Sequence, residues 1–439
     1  MSMAKAKTKT KEPPKEHKPN WKEYIATVED IEWFLRDHAY LRYNVVTGRT
    51  ECRIPAHDCF AEYMGDDLPT DEWVTISDRI VNKLWRAMSK EKKVRIDEMW
   101  RIIDSDFAPA FNPFIDYLER LPPWDGQDYI LGMSVSVSVK GGVEEQALFA
   151  KYLKKWLVWM VAGWIDPKVV NHVILVLIGE QGSYKTTWFS YLLPPPLRQS
   201  FRIKTNSSRM TKDDLIVLSE YGLVCYEELD TMRPSDMNQL KAAVTMTAVD
   251  ERRPFARYTE HRPHIASFCG TGNNVQFLND PTGSRRWLPF EIESIESPSD
   301  YPFNYEGIYA QAYALYQQGF RYWFNKAERE QLQRHNRQFE TVQSEVELVD
   351  LYYRKPRANE CRMVVSATEA LQAISGNISH VLNKENVGRA FTALGFEYFR
   401  SATRRGYIAV RRTGLEMEEY RRQLAEEQTM TDDTMTDVF

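Results

Sequence analysis

The chain has 439 residues, 43% of them hydrophobic, and carries 57 basic against 62 acidic side chains for a net charge of −5. This length and apolar content predict a globular protein of two or three domains with at least one large core. No apolar run reaches the roughly 18–20 residues of a membrane span and none follows the N-terminal lysines, so no membrane partner is expected and the chain reads as cytoplasmic.

Residues 1–20, with six lysines and three prolines, read as a disordered basic arm. An N-terminal domain over residues 21–120 mixes helices with a hairpin: "LRYNVVTGRTECRI" alternates like two strands around Thr47-Gly48, and "DEWVTISDRIVNKLWRAMSK" has helical spacing. The five cysteines, Cys52, Cys59, Cys225, Cys269 and Cys361, are scattered and never C-x-x-C, which predicts reduced core thiols rather than disulfides or a zinc site. "FNPFIDYLERLPPWDGQDYI" is a short helix, a proline break and a turn, placing a boundary near residues 122–126. The tryptophan-rich "EEQALFAKYLKKWLVWMVAGWI" then reads as a helix whose apolar stripe serves packing.

The centre changes character. "VNHVILVLIGE", "YGLVCYEELD" and "IASFCGTGNN" are apolar runs that stop abruptly at glycine or polar residues, the design of strands buried on both faces. With helical material between them they predict a doubly wound α/β core over residues 121–300, in which ligands sit at the carboxyl ends of the strands. A helical extension over 301–345, a compact region over 346–412 and an acidic tail over 413–439 complete the chain; the tail has eight acidic residues against two arginines.

"GEQGSYKTTW" nearly spells G-x-x-x-x-G-K-[ST], the phosphate-binding P-loop. In such a loop consecutive backbone N–H groups curl around a phosphate at a helix N-terminus, a lysine reaches the outer phosphate oxygens, and a hydroxyl holds magnesium. Gly179, Gly182, Lys185 and Thr186 fill those roles, with Ser183, Tyr184 and Thr187 in the same loop, so ATP and Mg2+ are the expected ligands. Tyr184 stands where the second defining glycine is usual. It is strained only if its φ is positive, by roughly 1 kcal/mol, and its ring either packs or leans over the base or ribose.

Hydrolysis needs a carboxylate on the magnesium side and another that orients water, both at a neighbouring strand end. "YEELD" supplies Glu227 for the first and Glu228 for the second, with Asp230 in reserve. Two glutamates after an apolar run also begin surface helices; their place some 40 residues after the loop selects the catalytic reading. "GTGNN" offers Asn273, then Asn274, as a sensor of the terminal phosphate, although Gly-Asn-Asn equally suits a turn. "DPTGSRRWLPF" puts Arg285 and Arg286 before an apolar strand, as surface ion pairs or as fingers that stabilise the transferring phosphoryl group across a subunit boundary.

Together "GEQGSYKTT", "YEELD", "GTGNNVQFLNDPTGSRRWLPFEI" and the upstream "PWDG" resemble the virulence-associated protein E family over roughly residues 111–293. "TGSRRWLPF" is the most specific part, and Tyr184 departs from the family's usual glycine. The resemblance implies a P-loop NTPase core of AAA+-like, superfamily 3 helicase type, and an ATP-dependent motor of phage or mobile-element DNA replication, acting as a hexameric homo-oligomer on single-stranded or forked DNA. Residues 21–110 hold no acidic cluster of a primase, so the chain reads as the helicase half, with a separate primase or replication-initiation partner.

Superfamily 3 rings project a hairpin before the sensor strand into the channel. Here "DERRPFARYTEHRPH" corresponds, with Arg252, Arg253, Arg257, Tyr258 and Arg262 combining charge and stacking for sequence-independent binding, or bridging subunits. The region ending "GFEYFRSATRRGYIAVRR" reads as a winged-helix-like domain; residues 388–412 hold six arginines and one glutamate. Lys384, Arg389, Arg404 and Arg405 are its candidate phosphate contacts. A second functional class is an ATP-binding oligomeric switch or loader that does not unwind DNA, serving defence or mobile-element control.

Overall fold

The computed structural model of the chain describes residues 25–55, 71–205, 212–251, 258–278, 284–340, 344–358, 360, 362–375, 384–401 and 403–423. The arm of residues 1–20, most of the acidic tail, and Arg252, Arg253 and Arg257 lie outside them. In the N-terminal part, α1 (Val28–His38) begins at a capping box: the Thr27 side chain accepts from the Asp30 amide and the Asp30 carboxylate accepts from the Thr27 amide, which satisfies two otherwise orphaned donors. β1 (Tyr40–Asn44) and β2 (Arg49–Arg53) pair antiparallel across the turn at Thr47-Gly48, and β3 (Val74–Thr75) adds beyond β2. After α2 (Asp78–Met88) and α3 (Ile96–Ile103), β4 (Ala110–Phe111) returns beside β1. These elements close their own core around Leu35, Cys52, Leu84 and Met99.

α4 (Pro113–Glu119), α5 (Tyr129–Ser134) and β5 (Val137–Val139) lead into the long α6 (Gly142–Ile165). The chain then runs through β6 (Ile174–Ile178), α7 (Lys185–Ser190), β7 (Phe201–Lys204), α8 (Lys212–Glu220), β8 (Leu223–Tyr226), α9 (Pro234–Val244), the hairpin β9 (Ala248–Glu251) and β10 (Glu260–Pro263), β11 (Ser267–Gly272) and β12 (Trp287–Ile295). Six strands form one sheet in the order β5-β12-β6-β11-β8-β7. All neighbours are parallel except β5, which runs antiparallel to β12 at the edge.

Alternation along β6 builds the layers. Leu175 and Leu177 enter the core that holds α6, whereas Ile174, Val176 and Ile178 enter the core of α8 and α9 on the opposite face, because successive side chains of a strand point to opposite sides. Helices on both faces explain why β6 is buried at every position and reads as an unbroken aliphatic run. The first half of α6 packs through a stripe as expected, with Phe149, Tyr152 and Leu153 buried, and the structure departs from that expectation only over residues 155–164, which are all buried. The helix lies between the sheet, where Phe149 meets Phe290 edge-on, and the later helix α10 (Tyr305–Gln317), so residues 155–164 keep no face for solvent, whereas Val143, Glu144, Ala147 and Lys151 in the first half remain exposed. Its buried indoles find acceptors: Trp156 donates to the Phe268 carbonyl at 3.2 Å and Trp164 to the Gly222 carbonyl at 3.1 Å.

Gly270 in β11 sits so close to the turn after β8 that an added Cβ would lie 2.2 Å from Leu229 Cδ1 and 3.0 Å from the Tyr226 carbonyl oxygen. Gly270→Ala is therefore expected to destabilise the protein by about 1–3 kcal/mol through overpacking, read as a lowered midpoint in thermal or urea unfolding. An unchanged midpoint would show that the Leu229 turn yields freely.

α11 (Lys326–Asn336) follows α10 and is anchored through Asn336, whose side-chain amide donates to the Ser284 and Trp287 carbonyls at 2.7 and 3.0 Å. The C-terminal part comprises α12 (Ser344–Tyr352), β13 (Tyr353–Arg354), β14 (Val364–Val365), α13 (Ala367–Ser375), α14 (Lys384–Ala393), β15 (Tyr398–Arg400), β16 (Arg405–Ile408) and β17 (Val410–Arg411). β14, β16 and β15 form an antiparallel sheet, and Phe391 stacks on Tyr407 at 4.9 Å in a separate core. Of the cysteines, Cys52, Cys225 and Cys269 are free and buried, and burial pushes the Cys52 thiol up to about 12. Among the described residues no helix is long and apolar enough to cross a membrane.

Candidate functional site

The register of the central strands brings three chain reversals to one place. Gly272 of β11 pairs with Ile178 of β6, and Gly270 pairs with Tyr226 of β8. The segments that leave these strands, at Gly179, Glu227 and Asn273, therefore share one edge of the sheet. The Gly179 amide ties two of them, donating to the Gly272 carbonyl at 3.2 Å. Gly179 has no room for a side chain, since a Cβ would lie 2.6 Å from Ile292 Cγ1.

Between β6 and α7 the loop turns twice into left-handed backbone, at Gly182 (φ 86°) and at Tyr184 (φ 60°). Glycine adopts that region freely, whereas an L side chain there costs roughly 1 kcal/mol. Tyr184 thus carries the strain that its position predicts, and its side chain is 51% exposed beside the cleft. Tyr184→Gly is expected to retain the loop and raise stability slightly, by at most about 1 kcal/mol; a lowered unfolding midpoint would show instead that ring contacts outweigh the strain.

Lys185 is the first residue of α7 and is buried. Its ammonium donates to the Gly179 and Glu180 carbonyls at 2.7 and 2.6 Å, to Ser183 Oγ at 3.1 Å and to Asn273 Oδ1 at 3.4 Å. Burial lowers its pKa from the ordinary lysine value, while the Asp230 charge opposes that shift. One residue on, the Thr186 hydroxyl donates to Glu227 Oε1 at 3.0 Å. Glu228 is exposed and adopts left-handed backbone (φ 54°), which turns the chain sharply out of β8. A cleft of about 420 Å³ is lined by the 181–187 loop, Glu227, Glu228, Thr271, Gly272 and Asn273.

The structure thus brings together Gly182, Ser183, Tyr184, Lys185, Thr186, Thr187, Glu227, Glu228 and Asn273, with Gly179 at the base of the loop. Asp230 has a larger part than its sequence position indicates. Its Oδ2 accepts from the Asn274 amide at 3.1 Å, fixing the third reversal, and its Oδ1 is buried with no hydrogen-bond partner. The signal in the sequence was Gly272, where a Cβ would come within 3.3 Å of that same oxygen.

Arg285 and Arg286 stand elsewhere. They immediately precede Trp287, which pairs with Ile174 at the start of β6, so they occupy the opposite edge of the sheet, roughly 20 Å along the strand direction from the loop. In the hairpin, Tyr258 is 79% exposed. Arg262 is turned inward: its guanidinium meets Glu220 at 3.4 Å and also donates to the Val45 and Val46 carbonyls of the β1–β2 turn. Lys384 and Arg389 lie exposed on α14, and Arg404 and Arg405 lie exposed at the start of β16.

The family model for the virulence-associated protein E-like domain matches residues 118–341. The chain belongs to that family, which takes in the sheet, both helical layers and the cleft. No curated protein matches its sequence. Among solved structures it is similar to the apo NrS-1 C-terminal region, at 12% identity and a TM-score of 0.45, covering 88% of this chain and 100% of that one. The A form of the same region is similar at 13% identity and a TM-score of 0.43, covering 74% and 78%.

Proposed function

We propose that this protein is an ATPase whose turnover drives movement on, or unwinding of, single-stranded or forked DNA during replication of a phage or mobile element. The observation that carries this reading is the convergence of Lys185, Thr186, Glu227, Glu228 and Asn273 on one cleft at the carboxyl edge of a parallel sheet, where this architecture binds ligands. The cleft volume of about 420 Å³ lies within the ordinary range for small-molecule sites.

In this reading the sheet is a P-loop core. Backbone amides of the 179–185 turn cradle phosphate, and Lys185 exchanges its loop carbonyls for phosphate oxygens, which form stronger charge-assisted bonds. The donor set fits Mg2+ as a companion of the triphosphate. A hydroxyl and a carboxylate 3.0 Å apart stand at the cleft, the described residues hold no group of three or more His, Cys, Asp or Glu suited to a metal, and Mg2+ is commonly held by one or two carboxylates plus substrate phosphates. Thr186 and Glu227 would hold it, and when bound it neutralises phosphate charge. Glu228 orients the attacking water and takes its proton, and Asn273, already 3.4 Å from Lys185 Nζ, reports the terminal phosphate.

Placement of Arg285 and Arg286 at the far edge of the sheet favours their action on a neighbouring subunit's triphosphate, as in a hexameric ring of identical chains. Arg285→Ala and Arg286→Ala are expected to leave ATP binding in the cleft unchanged and to lower turnover of the assembled protein by about a thousandfold, measured as steady-state hydrolysis above the assembly concentration. Unchanged turnover in both removes the finger assignment. For DNA, the reading takes Tyr258 with Arg252, Arg253 and Arg257 as a channel hairpin, and the C-terminal part as a winged-helix-like domain with Lys384, Arg389, Arg404 and Arg405 toward phosphates. Arg262 holds the hairpin base against the N-terminal part. A separate primase or initiation factor would complete the replication step.

The deciding measurement is ATP hydrolysis and oligomeric state with and without single-stranded DNA. Hydrolysis that rises with DNA supports the motor. Nucleotide binding without turnover, indifferent to DNA, would support the oligomeric switch, which the strained Tyr184 and the Lys185 ammonium folded onto its own loop favour.

A further inference from the structure

At the amino edge of the sheet lies a second cavity, of about 750 Å³, that shares no residue with the cleft. Its wall is built from two kinds of side chain. Aromatic rings form one part: Trp159 of α6 lies 5.7 Å from Tyr322, and Tyr322 meets Trp323 edge-on at 5.2 Å. Trp159 is nearly buried, whereas Trp323 is 49% exposed at the mouth. Cations form the other part: Lys168, Arg285, Arg286 and Arg329 all line the cavity, and no Asp or Glu does. Among the described residues, no carboxylate pairs with the side chains of Lys168, Arg285 or Arg329.

Lys168, Arg285 and Arg329 bring three cations to one cavity with no carboxylate on their side chains, an arrangement that favours an anion as its occupant. The exposed Trp323 ring and the half-buried Tyr322 beside those charges select an anion that is itself planar and aromatic at one end, through stacking and cation–π contact. The volume falls within the ordinary range of roughly 300–1,000 Å³ for small-ligand sites. We infer that this cavity binds a nucleotide unit, base against Trp323 and Tyr322 and phosphate toward Arg285 and Arg329, taken either free or from a single strand. The cavity shares no residue with the cleft of its own chain, and Trp323 and Arg329, on which the test rests, have no part in the proposed hydrolysis.

The test uses the full-length Lys185→Ala protein, in which the cleft is disabled in every copy, so no neighbour's cleft supplies the signal. Two probes separate the sources: fluorescent mant-ADP for a free nucleotide, and a labelled oligothymidylate for a strand. On this background Trp323→Ala and, separately, Arg329→Glu are expected to weaken at least one probe by about tenfold or more. Both side chains are exposed, and Arg329→Glu removes no packing. Loss with mant-ADP assigns a free nucleotide, and loss with the oligonucleotide alone assigns the strand. If Lys185→Ala binds neither probe, or if both substitutions leave binding of both probes unchanged, the inference is overturned. Failure there with cleft hydrolysis intact in the Lys185 protein would leave the proposed ATPase standing.

Discussion

Replacing Lys185 by alanine is expected to abolish ATP binding in the cleft and with it all hydrolysis. The ammonium is buried among four oxygens of its own loop and of Asn273, so it is held where phosphate would sit rather than swinging in solvent. Losing one partner of a buried charge pair typically costs about 2–5 kcal/mol, which lowers affinity by between roughly thirty and several thousandfold. The substitution also removes the clamp that joins the Gly179 and Glu180 carbonyls, which loosens the turn itself. Equilibrium dialysis with labelled ATP should show one fewer nucleotide per chain and no turnover. A variant that kept both its stoichiometry and its hydrolysis would falsify the cleft as the nucleotide site.

Glu228→Gln is expected to give the complementary result: ATP bound as in the parent protein, hydrolysis lower by about two to four orders of magnitude. Glutamine keeps the volume and the single exposed position, and left-handed backbone at φ 54° is no worse for it than for glutamate. What is lost is the ability to take a proton. The measurement is single-turnover hydrolysis with saturating ATP, alongside binding. Should turnover survive, the base is Asp230, whose buried Oδ1 has no partner, and Asp230→Asn becomes the variant that stops the reaction.

Much of this site is legible in the sequence because the relevant forces are local. An aliphatic run that ends at glycine, such as that of β6, says both that the strand is buried on two faces and that the chain turns where its side chains stop. The same holds for β8 and β11, so three strand ends with their polar residues are foreseeable from composition alone. Other features depend on partners far along the chain. That residues 155–164 of α6 are covered on every side follows from α10, which begins 163 residues after α6 does. That β12 lies directly beside β6, and so carries Arg285 and Arg286 to the opposite edge, follows from strand order, which no local pattern encodes. The left-handed backbone at Tyr184 and Glu228 contradicts intrinsic preference and is set by the geometry of the turns around the cleft. Arg262 illustrates the same limit: a basic residue in an arginine-rich hairpin reads as a phosphate contact, and its place beside Glu220 and the β1–β2 turn emerges only once the N-terminal part is folded against it.

The parallel pairing of β12 with β6 sets the arginine pair and the lysine turn a full strand length apart, at opposite ends of the sheet. On the reading proposed, each copy contributes the receiving half of one junction and the donating half of the next, and completes neither alone. Two inactive chains, one lacking Lys185 and one lacking both arginines, should then restore part of each other's activity on mixing, since one junction in the blend unites an intact half from each.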